Sequence, residues 1–342
     1  MACLITLALE HPEDQLLAME QCNSRKSRGI QWVAPKLSPM LTFVMRLSQM
    51  TLILSLLPLA QAWEGNAATE SDGERADPAR FEKAIAGLKE SEQAMYLFER
   101  IERVEERKSS AETSQTEVKV ARLFPAGTGI AHIALGTEGI PTNSAAYRGE
   151  LEKLLNSLTW AAASGKPQRE AYERVTKKQK ERADLIDQTR SAFVFTFAGQ
   201  EKRGDRTLSK FRMEPNPNYR PTSRSASIFT KVKGFVWLDD ASGQMARIQG
   251  EVTDDISFGI LLGKIFKGSH FAQERYEFAP GVWLPTYSAY DFDARKFFSS
   301  ISVHQKTYAS HYKRVGPPAE AIPIVRSELE KLGAITPTST NP

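Results

Sequence analysis

The residues best suited to acid–base or metal chemistry in this 342-residue chain are histidines and carboxylates near its C-terminal end. On an extended strand, His270 and Glu274 would share a face, as would Asp291 and Asp293. No histidine pair has the spacing of a helical zinc site. We therefore expect no catalytic residue, no metal site and no cofactor, although a hydrolase built from this His/Asp set stays open as a minor alternative.

Two acidic pairs, Asp239-Asp240 and Asp254-Asp255, stand where strands are expected to end. Paired carboxylates can act as general acid and base. Aspartates at such positions more often accept hydrogen bonds from turn N–H groups. We expect these pairs to cap turns.

Motifs for phosphate binding and acyl transfer are incomplete. The segment 259–264 (GILLGK) is one residue shorter than a P-loop, and Ile265 stands where Ser or Thr is needed. His132 takes the place of the third glycine of a dinucleotide motif that would begin at Gly127. No G-x-S-x-G nucleophile motif occurs in the chain.

An export signal is predicted at residues 45–62 (MRLSQMTLILSLLPLAQA). Arg46 precedes an apolar run, and Ala60-Gln61-Ala62 has the small-x-small pattern that signal peptidase cleaves. The mature protein would then begin at Trp63, and residues 1–44 would be an extension from a start codon assigned too far upstream. A signal with a long charged region is the alternative; a membrane anchor is less favoured, because the apolar run is about half of the roughly 20 residues needed.

The positions of the cysteines and the net charge exclude further classes of protein. Cys3 and Cys22 both precede the signal, so the mature chain has no disulfide, no thiolate nucleophile and no lipid-anchoring cysteine. The net charge is +4 with both signs interspersed, and no nucleic-acid-binding pattern occurs. We expect no nucleic-acid partner, whereas transient contact with an anionic membrane surface stays open.

Periodicity predicts helices first and then many strands. After a flexible N-terminus at 63–76, Asp77-Pro78 begins an amphipathic helix over 79–108. Strands at 115–123 and 130–135 precede a helical insertion at 144–189, which comprises helices at 144–163 and 167–189. The C-terminal tail, 316–342, contains one short helix over 322–332. Further strands are predicted at 192–197, 208–214, 233–238, 245–252, 256–262, 270–278, 282–292 and 297–312.

These adjacent short strands, joined by tight turns, predict an antiparallel meander. Four blocks resemble exported bacterial outer-membrane lipoprotein-sorting proteins of the LolA/LolB type: 234–239 (GFVWLD), 245–248 (MARI), 263–271 (GKIFKGSHF) and 281–285 (GVWLP). The resemblance spans about 193–312 and, more loosely, the helix near Phe81.

The resemblance implies an α+β domain over 77–315: a curved antiparallel β-sheet, or half-barrel, covered by helices. Its concave face would take up acyl chains, and the family brings no catalytic residues to carry over. The insertion at 144–189 departs from a compact member of the family, as a helical excursion packed on the sheet or standing off it.

Aromatic residues on alternating strands are the candidate lining of an apolar cleft. Their alternative role is simply to fill the core. Shared strand faces select five: Phe235, Trp237, Phe258, Trp283 and Tyr287.

The sequence thus favours a non-catalytic exported envelope protein, located in the periplasm, that binds lipid or the acyl chains of lipoproteins. The main alternative is an envelope protein that binds another protein through its helices or an exposed sheet edge, with no small ligand.

Overall fold

The computed structural model describes residues 76–109, 114–257, 264–296 and 299–335. The four α-helices in these ranges are α1 (Pro78–Ala94), α2 (Ser144–Ala162), α3 (Lys166–Ala192) and α4 (Pro318–Ile335). The first seven strands are β1 (Phe98–Ser109), β2 (Ser114–Pro125), β3 (Ile130–Leu135), β4 (Phe193–Arg203), β5 (Arg206–Pro215), β6 (Val232–Asp239) and β7 (Met245–Val252). The other five are β8 (Ile256–Ser257), β9 (Lys264–Ile265), β10 (His270–Ala279), β11 (Val282–Lys296) and β12 (Ser299–Arg314).

Ten of these strands form one curved antiparallel sheet in the order β3-β2-β1-β12-β11-β10-β7-β6-β5-β4. The last strand returns to pair with β1, so the first and last strands lie side by side inside the sheet. The outer strands β3 and β4 do not pair with each other within the described residues, so the sheet stays an open half-barrel. The expected α+β meander with covering helices is confirmed.

The predicted helix over 79–108 is wrong in its second half. Helix α1 ends at Ala94, and the chain runs on as strand β1 from Phe98. Apolar residues at Phe98, Ile101 and Val104 are three apart and imitate a helical face. The strand nevertheless pairs with both β2 and β12, and this two-sided pairing overrides local helix propensity.

Helix α1 packs across strands β4–β7. Asp77 caps it, since its Oδ1 accepts a hydrogen bond from Ala79 N at 2.9 Å. The buried face of the helix enters the larger apolar core together with side chains of β4–β7. That face carries Phe81, Ala84, Ile85 and Leu88.

The helical insertion divides between two cores. Leu151, Leu154 and Leu158 of α2 pack with α4 and with β3 in a second apolar cluster. Helix α3 is about 40 Å long at 1.5 Å per residue, and its Leu185 and Ile186 join α1 in the larger core. Both helices therefore contribute side chains to the two cores, whereas residues 172–184 of α3 have no buried side chain.

The C-terminal tail holds a longer helix than the one predicted over 322–332. Helix α4 begins at Pro318, and Ala321, Val325 and Leu329 are buried against α2. A spacing of four residues places these three side chains on one face. This segment therefore completes the second core.

Several predicted segments lie outside the described residues: the extension 1–44, the signal 45–62, nearly all of the N-terminus 63–76, and most of the strand predicted at 256–262. Within the described ranges, no helix combines the length and apolar character needed to cross a membrane.

A buried ionic network holds α2 and α4 to the sheet. Arg122 on β2 pairs with Glu99 at 2.6 Å and with Glu328 of α4 at 2.9 Å. The hydroxyl of Tyr147 on α2 donates to Glu328 at 2.7 Å and accepts from Arg122 at 2.7 Å. Burial, together with the hydrogen bond to Glu328, raises the pKa of Tyr147 to about 12, so this hydroxyl stays protonated at neutral pH.

We expect Arg122→Met to lower the free energy of unfolding by about 2–4 kcal/mol, because two partly buried carboxylates would lose their cationic partner. Urea unfolding at neutral pH measures this. Arg148→Met is the matched control, since Arg148 is exposed and its ion-pair partner among the described residues is Glu152 along α2; its effect should stay within about 0.5 kcal/mol. Equal losses in the two variants would contradict a specific role for the network.

Candidate functional site

The two faces of the sheet differ in chemistry. On β6, Val236 and Leu238 enter the core beneath α1. The alternate residues Phe235 and Trp237 point to the opposite face, where they lie 6.0 Å apart between ring centroids. The candidate site lies on this second face, away from α1.

A row of paired residues crosses this face from β5 to β12. Each member is the register partner of the next: Lys210, Trp237, Arg247, Glu274, Tyr287 and Tyr308. Paired positions carry their side chains on the same side of a sheet. We call Lys210, Phe235, Trp237, Arg247, Tyr287 and Tyr308 the aromatic–cationic surface.

Cations lie over the rings at one end of this surface. Arg247 Cζ is 4.7 Å from the Trp237 ring centroid. Lys210 Nζ is 4.2 Å from the Phe235 centroid and 5.2 Å from that of Trp237. Such contacts attract a cation to the negative face of the ring. The rings and their cations therefore form one continuous patch.

Tyrosines occupy the other end. Tyr287 and Tyr308 contact each other with centroids 5.3 Å apart, and Tyr308 is 39% exposed. Burial raises the pKa of Tyr287 above its usual 10, which keeps the phenol neutral at pH 7. This end offers neutral aromatic surface to solvent.

Beside the row runs a shallower line of paired residues. Phe235 pairs with Gln249, Gln249 with Ala272, and Ala272 with Ala289. The two alanine methyls lie between longer side chains of the neighbouring rows, which are about 7 Å away on each side. We call this depression, from Phe235 to Ala289, the alanine trough.

Helices α2 and α4 bound the same face at its far end. Tyr308 pairs with Arg103 on β1, and Arg103 pairs with Val120 on β2. Arg122 and Phe124 follow at alternate positions of β2 and contact α2 and α4. The helices thus cover β1–β3 on this face, while α1 covers β4–β7 on the other.

A buried cluster closes the surface on the β5 side. Trp283 on β11 is 1% exposed and packs with Trp237, Leu208 and Ala246. Arg206 lies over the Trp283 ring, with Cζ 4.9 Å from its centroid. Of the four predicted cleft residues that the structure describes, Phe235 and Tyr287 are half-buried, and the two tryptophans are buried beneath them.

Asp239 caps a turn, as expected, whereas Asp240 and Asp254 pair with basic side chains. Asp239 Oδ1 accepts from Ser242 N at 2.8 Å and from Ser242 Oγ at 2.7 Å. Asp255 accepts from Lys267 N at 2.9 Å. The carboxylates of Asp239 and Asp255 thus accept hydrogen bonds from backbone N–H groups, and Asp239 also accepts one from the Ser242 hydroxyl.

His270, Asp291 and His304 lie in one row across β10, β11 and β12. His304 Nδ1 lies 2.6 Å from Asp291 Oδ1, and His270 is the register partner of Asp291 on the other side. His311 lies in a left-handed conformation (φ 54°), which breaks the alternation with His304. In the part of the chain that the structure describes, no three such ligands converge as a metal site would require.

The predicted cleft residues are partly brought together. Phe235, Trp237 and Trp283 share one cluster, and Tyr287 lies in the same row as Trp237. Phe258 lies outside the described residues. The resemblance implies a cleft beneath the helices, whereas these four lie on the face opposite α1; their role as ligand-binding residues stays a prediction.

Sequence reasoning missed Lys210, Arg247 and Tyr308. Each alternates with core residues on its strand, and that period of two was the available signal. Pairing between strands that are distant in sequence decides which residues become neighbours, and a single sequence does not reveal it.

Comparison with known proteins gives structural matches only. No family model and no curated protein matches the chain. The chain is similar to solved lipoprotein-sorting and LolA-superfamily proteins. A putative outer membrane lipoprotein-sorting protein domain from Vibrio parahaemolyticus has 14% identity and a TM-score of 0.27, and the match covers 68% of this chain and 93% of that one.

Two further solved structures give similar values. A LolA superfamily protein from Nitrosomonas europaea has 10% identity and a TM-score of 0.26, with 71% of this chain and 96% of that chain covered. A DUF1329 family protein from Desulfovibrio piger has 11% identity and a TM-score of 0.27, with 70% and 94% covered.

Asp239 should make stability depend on pH in the acid range. Burial alone would raise its pKa, but the hydrogen bonds from Ser242 and the pairing with Arg206 hold the pKa below 3.8. Its contribution is therefore fully present above pH 3.8 and is lost as the pH falls through the folded-state pKa.

We expect Asp239→Asn to lower the free energy of unfolding by about 1–3 kcal/mol at pH 7. The gap to the parent protein should narrow as the pH falls below 3.8, as measured by urea unfolding between pH 7 and pH 2.5. Asp205→Asn, at the exposed β4–β5 turn, is the control. A gap that widens on acidification would contradict the assignment.

Proposed function

We propose that the protein is a non-catalytic, exported envelope protein that binds lipid or the acyl chains of lipoproteins on the aromatic–cationic surface and in the alanine trough. The observation that carries this proposal is the register of aromatic, cationic and methyl side chains on one face of an open sheet. The half-exposed positions in that row make the surface accessible.

The chemistry of the trough suits a hydrocarbon chain. Ala272 and Ala289 provide two neighbouring methyl groups, with Gln249 beside them in the same row, and Phe235 and Tyr287 add apolar ring area. Apolar side chains grouped on an accessible face are typical of a ligand or partner site. A chain laid across the strands here would bury methylenes at about 0.8 kcal/mol each.

The cationic end supports an amphipathic ligand over a purely apolar one. Lys210 and Arg247 place two positive charges at the β5–β7 end of the trough. Their stems cover the rings while their charged groups reach toward solvent. A lipid with a polar or anionic head matches this pairing of apolar and cationic surface.

Export is the second part of the proposal. The signal predicted at 45–62 would deliver a cysteine-free mature chain to the periplasm or an equivalent compartment. Acyl chains of lipids and lipoproteins are abundant ligands there.

A second candidate function is protein binding at a sheet edge. Among the described strands β4 pairs with β5 alone, although Ala76 N donates to Phe195 O at 3.1 Å on its outer edge, and its Phe197 is 40% exposed. An extended segment of a partner could add to such an edge. The charged residues at 201–203 disfavour the pairing of this edge with other strands. We therefore rank this function below acyl binding.

Native mass spectrometry with lipid extraction tests the acyl-binding proposal on the gently purified full chain. We expect co-purifying acyl species in the parent protein. Phe235→Ser and Tyr287→Ser should each reduce occupancy about tenfold, because each removes ring contacts equivalent to about 1–2 kcal/mol.

Trp160→Ser is the matched control, since Trp160 is an aromatic residue that is 43% exposed on α2, away from the surface. It should retain the lipid, and all variants should keep the parent's unfolding midpoint to within a few degrees. A parent protein that is free of acyl species at every purification stage would refute the proposal.

A further inference from the structure

Two cations flank a single buried indole. Lys210, Trp237 and Arg247 are register partners on β5, β6 and β7, so the cations approach the ring from neighbouring strands. Lys210 Nζ is 5.2 Å and Arg247 Cζ 4.7 Å from the Trp237 centroid. Cation–π attraction alone does not explain two like charges brought to one ring, because they repel each other.

The N–H groups of this cluster lack acceptors. Trp237 is 3% exposed, and within the described ranges neither its Nε1 nor Arg247 Nε has a hydrogen-bond partner, although both atoms are buried. Lys210 Nζ contacts only the faces of Phe235 and Trp237 among the described residues. Buried donors left unpaired cost free energy, so their persistence indicates an acceptor supplied from outside the chain.

Neighbouring carboxylates form ion pairs with Arg247 but do not accept a hydrogen bond from it. Glu274 Oε1 is 3.7 Å from Arg247 Nε, and Glu201 Oε1 is 3.9 Å from Arg247 Nη1; both distances exceed a hydrogen bond. The other oxygen of Glu274 is held by Arg203 Nη2 at 2.7 Å. Since Arg203 offsets Glu274 and Glu201 offsets Arg247, the cluster keeps the one positive charge of Lys210.

We infer that Lys210, Arg247 and the Trp237 indole N–H bind the phosphate group of an amphipathic ligand whose acyl chain occupies the alanine trough. This inference rests on the proposed function for the acyl part only. A phosphate presents several charged oxygens to donors arriving from different directions, which suits an ammonium, a guanidinium and an indole N–H better than a two-oxygen carboxylate does.

Three probes separate the head group from the chain: lauroyl lysophosphatidic acid, neutral monolauroylglycerol and inorganic phosphate, each titrated by calorimetry into the delipidated full chain. We expect lysophosphatidic acid to bind about tenfold more tightly than monolauroylglycerol. Lys210→Met and Arg247→Met should each lower the affinity for lysophosphatidic acid about tenfold and leave the affinity for monolauroylglycerol unchanged. Lys210→Arg, which retains the charge, should keep most of the affinity.

Lys233→Met is the matched control. Lys233 lies on the same face of β6, but its partner is Glu251 at 3.8 Å; the change should alter lysophosphatidic acid affinity less than twofold. Unfolding midpoints measured beside each titration exclude loss of the fold as the cause.

The outcomes separate this inference from the proposed function. Equal affinity for the two acyl probes, or lysophosphatidic acid binding that both Met variants leave intact, overturns the phosphate site and keeps acyl binding. Binding of inorganic phosphate that Lys210→Met abolishes, with lysophosphatidic acid bound no more tightly and monolauroylglycerol not bound, supports the anion site and overturns the proposed function. No binding of any probe overturns both.

Discussion

The packing of α1 across strands β4–β7 is the constraint on which the rest of the structure depends. Phe81 stacks on Phe195 with ring centroids 3.9 Å apart, and Ile85 joins Val236 and Ile248 in the same core. Side chains alternate between the two faces of a strand. When one set packs against α1, the residues between them must therefore point to the opposite face. A slip of one residue would exchange the two sets, so the core beneath α1 fixes which residues form the aromatic–cationic surface.

The C-terminal turn of α1 extends that constraint to the β10–β11 hairpin. Arg275, 1% exposed at its side chain, donates to Glu92 of α1 at 2.6 Å and to the carbonyl of Trp283 at 3.1 Å. Ser91 Oγ accepts from Trp283 N at 3.3 Å. A buried pair of this kind contributes positional specificity more than net stability. Here it places Trp283 against Trp237, at the floor of the surface.

Local sequence patterns were sufficient to predict most strands, but they were not sufficient to predict the candidate site. Turn chemistry around Gly243 and Gly281, where φ is positive, marked two hairpins correctly. Strand β1 was assigned to a helix, because its apolar residues recur every three positions and its two partner strands lie elsewhere in the sequence. The aromatics were recognised individually, but their cationic neighbours depend on the β5–β6–β7–β10 register, which only the folded chain displays.

The central claim is that an acyl chain lies on the face opposite α1. Photo-crosslinking with a diazirine-bearing fatty acyl probe, with labelled residues assigned by mass spectrometry, tests it directly, because neighbouring residues of a strand report opposite faces. The account predicts label on Phe235, Ala272 and Ala289. Label confined to their neighbours beneath the helices, Val236 and Phe271, would contradict it.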